Sequence, residues 1–174
     1  MIVAGDEASL YHQATLMRAW NAVGQTPLIK VTAQRTMTHF YGALNLATGK
    51  ETVMRAARMN SEVTALFLLK LLAAYPDQPI LLLWDRAKWH LGAAVKAVLN
   101  NNQRLQILFF PPASPELNPQ EHVWKATREA VSHNHTQPYF ATLADDFEQH
   151  LETSTFPCSL LHQHDYFSLC AMFN

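Results

Sequence analysis

Glycine is scarce: there are five in 174 residues, and none stands in a Gly-x-x-x-x-Gly-Lys phosphate loop. A P-loop nucleotide enzyme is therefore disfavoured. No Gly-x-Ser-x-Gly nucleophile elbow is present either. The two cysteines, Cys158 and Cys170, form no Cys-x-x-Cys pair and read as reduced thiols of core or tail. The longest apolar run, residues 63–74, is broken by Lys70 and is too short for a bilayer. The N-terminus lacks a basic start followed by an apolar run, and Asp6 and Glu7 come too early for a signal peptide. A cytosolic protein is expected.

Lys and Arg are missing from the last quarter of the chain. Residues 1–128 hold all 13 of them against eight Asp and Glu, a balance of +5. Residues 129–174 hold six acids and no base, which brings the whole to −1. A mildly basic body can meet a phosphate backbone, but this charge alone does not separate it from an ordinary surface. Hydrophobic residues make up 49% of the chain, enough for one folded domain with a sizeable core.

Residues 2–10 read as a strand with Asp6 near its middle. A short strand is expected over 27–32, and a hairpin over 38–46 and 51–57 with a turn at 47–50. Asn60 and Ser61 can cap a helix over 62–74. Residues 80–84 are continuously apolar, as in a strand buried on both faces. A short helix over 91–99, stopped by three asparagines, leads to another buried strand over 105–110. Asn118 starts a helix running to about residue 131, and a last helix covers 141–153. This order predicts an α/β fold: an antiparallel meander first, then parallel strands added through helical crossovers. Ligands of such sheets gather beyond the carboxyl ends of parallel strands, where Asp85 sits.

Three acids stand out. Asp6 interrupts an apolar strand, and a buried carboxylate needs a partner, a metal or solvent. Glu7 points to the opposite face, is its natural competitor, and reads as exposed. Asp85 follows a buried strand, with Arg86 and Lys88 placed to meet phosphate oxygens. His90 lies within reach of the same loop and reads as a structural hydrogen-bonding histidine. Glu121 fits a capping arrangement with Asn118 and Pro119, which stabilises a helix start without any chemistry. Lys125 and Arg128 follow on its helical face. Three clustered carboxylates resist ionising together, and a divalent cation removes that conflict. Hard oxygen ligands suit Mg²⁺ or Mn²⁺, and two such ions can cut a phosphodiester. His133, His135, His162 and His164 lack the spacing of a zinc site and read as surface or tail residues.

Three motifs now combine: Asp6-Glu7 followed by Trp20 and Gly24; Asp85-x-Ala87-x-x-His90; and Pro111-Pro112-x-Ser114-Pro115-Glu116-Leu117-Asn118-Pro119-x-Glu121-x-x-Trp124, with 35 residues between Asp85 and Glu121. Together they resemble the catalytic domain of DDE-type transposases, in the superfamily that joins mariner-like elements with one group of bacterial insertion sequences. The resemblance implies a ribonuclease H-like fold, a mixed five-stranded sheet with helices on both faces. It implies a catalytic domain over 1–155 and a tail over 156–174. Asp6, Asp85 and Glu121 become the catalytic, metal-binding triad for two Mg²⁺ or Mn²⁺ ions, with Arg86, Lys88, Lys125 and Arg128 toward DNA.

The implied reaction is cleavage at transposon ends, then strand transfer, usually into a TA dinucleotide, by a dimer in the bacterial cytoplasm on nucleoid DNA. Family members often carry Asn where this chain has Arg86. They also carry helix-turn-helix modules ahead of the first catalytic strand, so end recognition is expected to be absent from this polypeptide. An inactive truncated remnant that binds DNA or a partner without cutting is the alternative. Another nuclease of the same fold is a third reading, against which the motif at 111–124 argues.

Overall fold

Strand β1 (Ile2–Tyr11) sends Val3 to one face of the sheet and Ala4, Ala8 and Leu10 to the other, as the two-residue period of a strand requires. Both sets are buried, so β1 is the centre of the molecule. In the computed structural model, which describes residues 1–18, 22–24, 35–112 and 114–157, it lies third in a five-stranded sheet of order β3-β2-β1-β4-β5.

Strand β2 (Met37–Asn45) pairs antiparallel with β1 and sets Gly42 opposite Asp6. Strand β3 (Glu51–Ala56) folds back antiparallel on β2. Asn45 builds the turn between them, its Oδ1 accepting from the N–H groups of Ala47 and Thr48. Strand β4 (Ile80–Trp84) pairs parallel with Ile2–Ala4 of β1, and β5 (Leu105–Phe109) parallel with β4. Parallel neighbours need crossovers. Helices α1 (Ser61–Ala74) and α2 (Ala93–Asn101) supply them, and their apolar residues pack with Val3, Tyr41, Leu82 and Trp84 on one face. Helices α3 (Pro119–Thr127) and α4 (Phe140–Thr153) cover the other face through Val123, Trp124, Leu143, Phe147 and Leu151. The expected meander, crossovers and two covered faces are all present.

Four expectations need adjustment. Strand β5 is not a buried strand: it is the sheet edge, with Gln106 exposed and Leu108 57% exposed. In β4, Leu81 and Leu83 are only half-buried, because helical cover is thinner toward that edge. The helix expected at residue 91 starts at Ala93, after a 3₁₀ turn over Lys88–Leu91 and a Gly92 N-cap, and it runs through two of the asparagines. Helix α3 stops at Thr127 and gives way to a π-turn over Arg128–Ser132. The strand expected at 27–32, Trp20, both cysteines and the histidine pair at 162 and 164 lie outside the described residues. Among the described residues no helix is long and apolar enough to cross a membrane.

Candidate active site

The sheet register brings two of the three acids together. Ala4 of β1 stands opposite Leu83 of β4 in a parallel pair. Following both strands two residues further places Asp6 beside Asp85, at the point where β4 leaves the sheet. Glu121 reaches the same place from the first turn of α3. All three line one pocket of about 380 Å³, whose far wall is built by Pro111, Pro112 and Pro115.

Helix α3 is seated there by its own start. Asn118 Oδ1 accepts from the Gln120 N–H, the expected N-cap, and its Nδ2 donates to the carbonyl of Gly5, the neighbour of Asp6. One turn on, buried Trp124 donates its indole N–H to Asp6 Oδ2 at 3.1 Å. Gln120 ties the helix to the meander. Its Oε1 accepts from the Leu44 N–H, and its Nε2 donates to Glu51 Oε1 at 2.7 Å. Burial pushes the Glu51 carboxyl well above its usual value, against the opposing effect of the bond from Gln120. Gly42 makes room for the whole arrangement. A Cβ there would collide with Glu51 Oε1, lie 2.5 Å from Gln120 Nε2 and lie 2.7 Å from Trp124.

Asp6 and Asp85 have opposite electrostatics. Burial raises the Asp6 carboxyl from 3.8 to about 7, and the charges of Glu7, Glu121 and Asp85 push the same way. The hydrogen bond from His90 holds Asp85 below its ordinary value, against the effect of burial. Asp85 Oδ1 takes both His90 Nδ1, at 2.8 Å, and the Ala87 N–H, at 3.0 Å. Oδ2 takes part in neither bond.

Glu7 is not the exposed acid expected from its position. Its side chain is 4% exposed and lies 2.9 Å from His90 Nε2, with Trp89 Nε1 donating to it at 3.1 Å. A buried carboxylate needs such a partner, and no local pattern around Glu7 names the residue that supplies it. Burial alone would lower the His90 pKa. The bonds to Asp85 and Glu7 outweigh it and raise the ring to about 9. Trp84 stacks on the same ring, centroids 3.6 Å apart. His90 is thus a structural hydrogen-bonding histidine, as expected, but one that grips a site carboxylate.

Of the four expected cations, Arg86 lines the pocket, its guanidinium held 5.3 Å over the Phe109 ring. Lys88 and Lys125 are exposed outside it. Arg128 lines a different pocket. His135 is less exposed than a surface histidine: its ring stacks on that of His12, and its Nε2 is enclosed.

Among the described residues no three His, Cys, Asp or Glu side chains converge closely enough to hold one ion by themselves. Mg²⁺ does not require that. It is commonly held by one or two carboxylates, with waters and substrate phosphates completing the shell. An all-carboxylate donor set around a strained, partly buried Asp6 fits a hard divalent cation.

The family model described as DDE superfamily endonuclease matches residues 1–144. The chain belongs to that family. The DDE domain is also 27% identical over 157 residues to a protein of Shigella sonnei described as the insertion element IS630 uncharacterized 39 kDa protein, covering 87% of this chain and 45% of that one. It spans less than half the length of that relative. Among solved structures it is similar to the mariner Mos1 paired-end complex with Mg, with a TM-score of 0.67, 16% identity, and coverage of 93% of this chain and 51% of that one. It is likewise similar to the catalytic domain of Mos1 mariner transposase, with a TM-score of 0.60, 13% identity, and coverage of 88% and 70%. The ribonuclease H-like fold and the resemblance to DDE-type transposase catalytic domains are borne out.

Proposed function

We propose that the chain is the catalytic core of an insertion-sequence transposase, with Asp6, Asp85 and Glu121 as its metal-binding triad. The observation that carries this reading is the single pocket in which all three acids meet, with Asp6 shifted up by burial and by its charged neighbours. Two divalent ions, when bound, supply activation of the attacking oxygen and stabilisation of the leaving one.

The chain's own residues prepare the rest. His90 and the Ala87 N–H fix Asp85 through one oxygen and make no bond to the other. Trp124 fixes Asp6 in the same way. The helix start at Asn118 fixes the direction of Glu121. Arg86, at the pocket rim, is placed to meet a DNA phosphate as the strand enters, while Lys88 and Lys125 offer further charge on the flanks.

On this reading the substrates are transposon ends and then a target, a TA dinucleotide in this superfamily. The working form on paired ends is a dimer in the bacterial cytoplasm. The test is nicking of labelled supercoiled plasmid with Mg²⁺ or Mn²⁺, comparing the chain with Asp85→Asn. Metal-dependent nicking that disappears in the variant supports the proposal. Equal behaviour of two folded proteins would move the chain to the inert-remnant reading.

A further inference from the structure

Two of the three site acids are held by bonds of their own. Trp124 donates to Asp6, and His90 and the Ala87 N–H hold Asp85. Glu121 has no such tie. It is exposed, and its carboxylate makes no hydrogen bond or ion pair among the described residues. Its place in the pocket is therefore set by the first turn of α3 alone.

That turn is moored to the sheet at two points. Asn118 reaches β1 at the Gly5 carbonyl. Gln120, fully buried and adjacent in sequence to Glu121, reaches the meander. Its carboxamide can serve both of its partners in one orientation only. The Leu44 N–H requires the amide oxygen, 3.1 Å away, and Glu51 Oε1, at 2.7 Å, takes the amide nitrogen.

A purely structural role fits Glu51 poorly. It opens β3, an edge strand, where a hairpin acid ordinarily faces water. Here the carboxyl end is closed in, and Oε2 is enclosed without a partner. Among the described residues no Lys, Arg or His pairs with it, whereas Arg55 of the same strand is held by both Asp145 and Glu148. An enclosed acid with no cation and a spare oxygen lowers stability. What this one supplies is the anchor of Gln120.

We infer that Glu51 is a positioning residue for Glu121, acting through the Gln120 carboxamide. The inference rests on the metal-triad reading and adds to it the group that aims the third acid. Mg²⁺ accepts little departure from octahedral geometry. Groups that hold a metal ligand from behind commonly govern affinity by tenfold or more. A slack first turn shifts Glu121 relative to Asp6, while the sheet that carries Asp6 and Asp85 keeps its place.

The test is calorimetric titration of Mn²⁺ into the chain and into Glu51→Gln, Glu51→Asp and Val98→Ala, with a melting temperature for each. Glu51→Gln keeps the reach and an acceptor oxygen but not the acid. Glu51→Asp keeps the acid and withdraws it by one methylene. Val98→Ala opens a cavity under α2, on the opposite face of the sheet, and shows what lost stability does by itself. The expected result is roughly tenfold weaker binding in Glu51→Asp, with Glu51→Gln and Val98→Ala close to the unaltered chain. Glu51→Asp binding as tightly as the unaltered chain overturns the inference and leaves the triad intact. So does an equal loss in Glu51→Gln, which would put the acid rather than the tether to work, or in Val98→Ala, which would assign the effect to stability. No Mn²⁺ binding by the unaltered chain overturns both the triad and its positioning residue.

Discussion

His90 joins Glu7 to Asp85: its Nε2 lies 2.9 Å from Glu7 Oε1, and its Nδ1 lies 2.8 Å from Asp85 Oδ1. The His90 ring and the Glu7 carboxylate are both buried, so neither has water as a substitute partner. Removing one member of a buried ion pair strands the other, typically at about 3–5 kcal/mol. His90→Gln is expected to destabilise the fold by that order, measured by denaturant unfolding. Glu7→Gln added to His90→Gln is expected to cost much less than the two single effects together, which a double-mutant cycle reads. The ring titrates at about 9 in the fold, above its ordinary 6.5. Its contribution is therefore full below pH 6.5 and fades as pH rises through about 9. The gap between the two proteins should narrow over that range. A gap independent of pH would mean that the ring is neutral.

The Trp124 indole gives a probe of Asp6, because Phe keeps an aromatic ring but lacks the N–H, with a small cavity left by the lost second ring as an added cost. Trp124→Phe removes the donor to Asp6 Oδ2 and is expected to lower stability by about 1–2 kcal/mol. It should also raise the Asp6 pKa further, since a bond to the charged form is lost. Carboxylate chemical shifts in a pH titration read that change directly, and an unmoved Asp6 would show that the bond is unimportant.

Gly42 tests whether the network behind the site matters to it. Its Cβ would press on Glu51, Gln120 and Trp124 at once, and overpacking of this kind costs roughly 1–3 kcal/mol. Gly42→Ala is expected to lower the melting temperature and also to weaken Mn²⁺ binding, because Trp124 holds Asp6. Normal Mn²⁺ binding in a destabilised Gly42→Ala would uncouple the two.

Asp6 carries its own pH signature. Its folded value, about 7, lies above its ordinary 3.8, so between those values the folded protein holds a proton that the unfolded chain has released. Stability from this group is present below pH 3.8 and is lost as pH rises toward about 7. Compared with Asp6→Asn, the chain should lose thermal stability across that window in chelator. Added Mg²⁺ should restore part of it above neutral pH, where the carboxylate is free to bind.

Much of this was legible before the fold was seen. The period-two burial of β1, the apolar run that ends at Asp85 and the Asn118-Pro119 helix start are local signals, and they placed Asp6 within a strand, Asp85 just past a strand end and Glu121 in the first turn of a helix. What stayed hidden was non-local. Glu7 and His90 lie 83 positions apart, and nothing near either names the other. Gln120 and Glu51 are paired only once β3 has folded back and α3 has docked. The exposure of β5 follows from its place at the sheet edge, which an apolar run does not reveal. The π-turn arises in Arg128-Glu129-Ala130-Val131-Ser132, which contains neither Gly nor Pro and reads as ordinary helix.

Calorimetric titration of Mn²⁺ into the chain and into Asp6→Asn, Asp85→Asn and Glu121→Gln, each confirmed folded, asks whether the three carboxylates make one metal centre. The expected result is binding by the unaltered chain that is lost or sharply weakened in every one of the three variants. Binding that survives unchanged in all three would contradict the proposed centre and place the ion elsewhere.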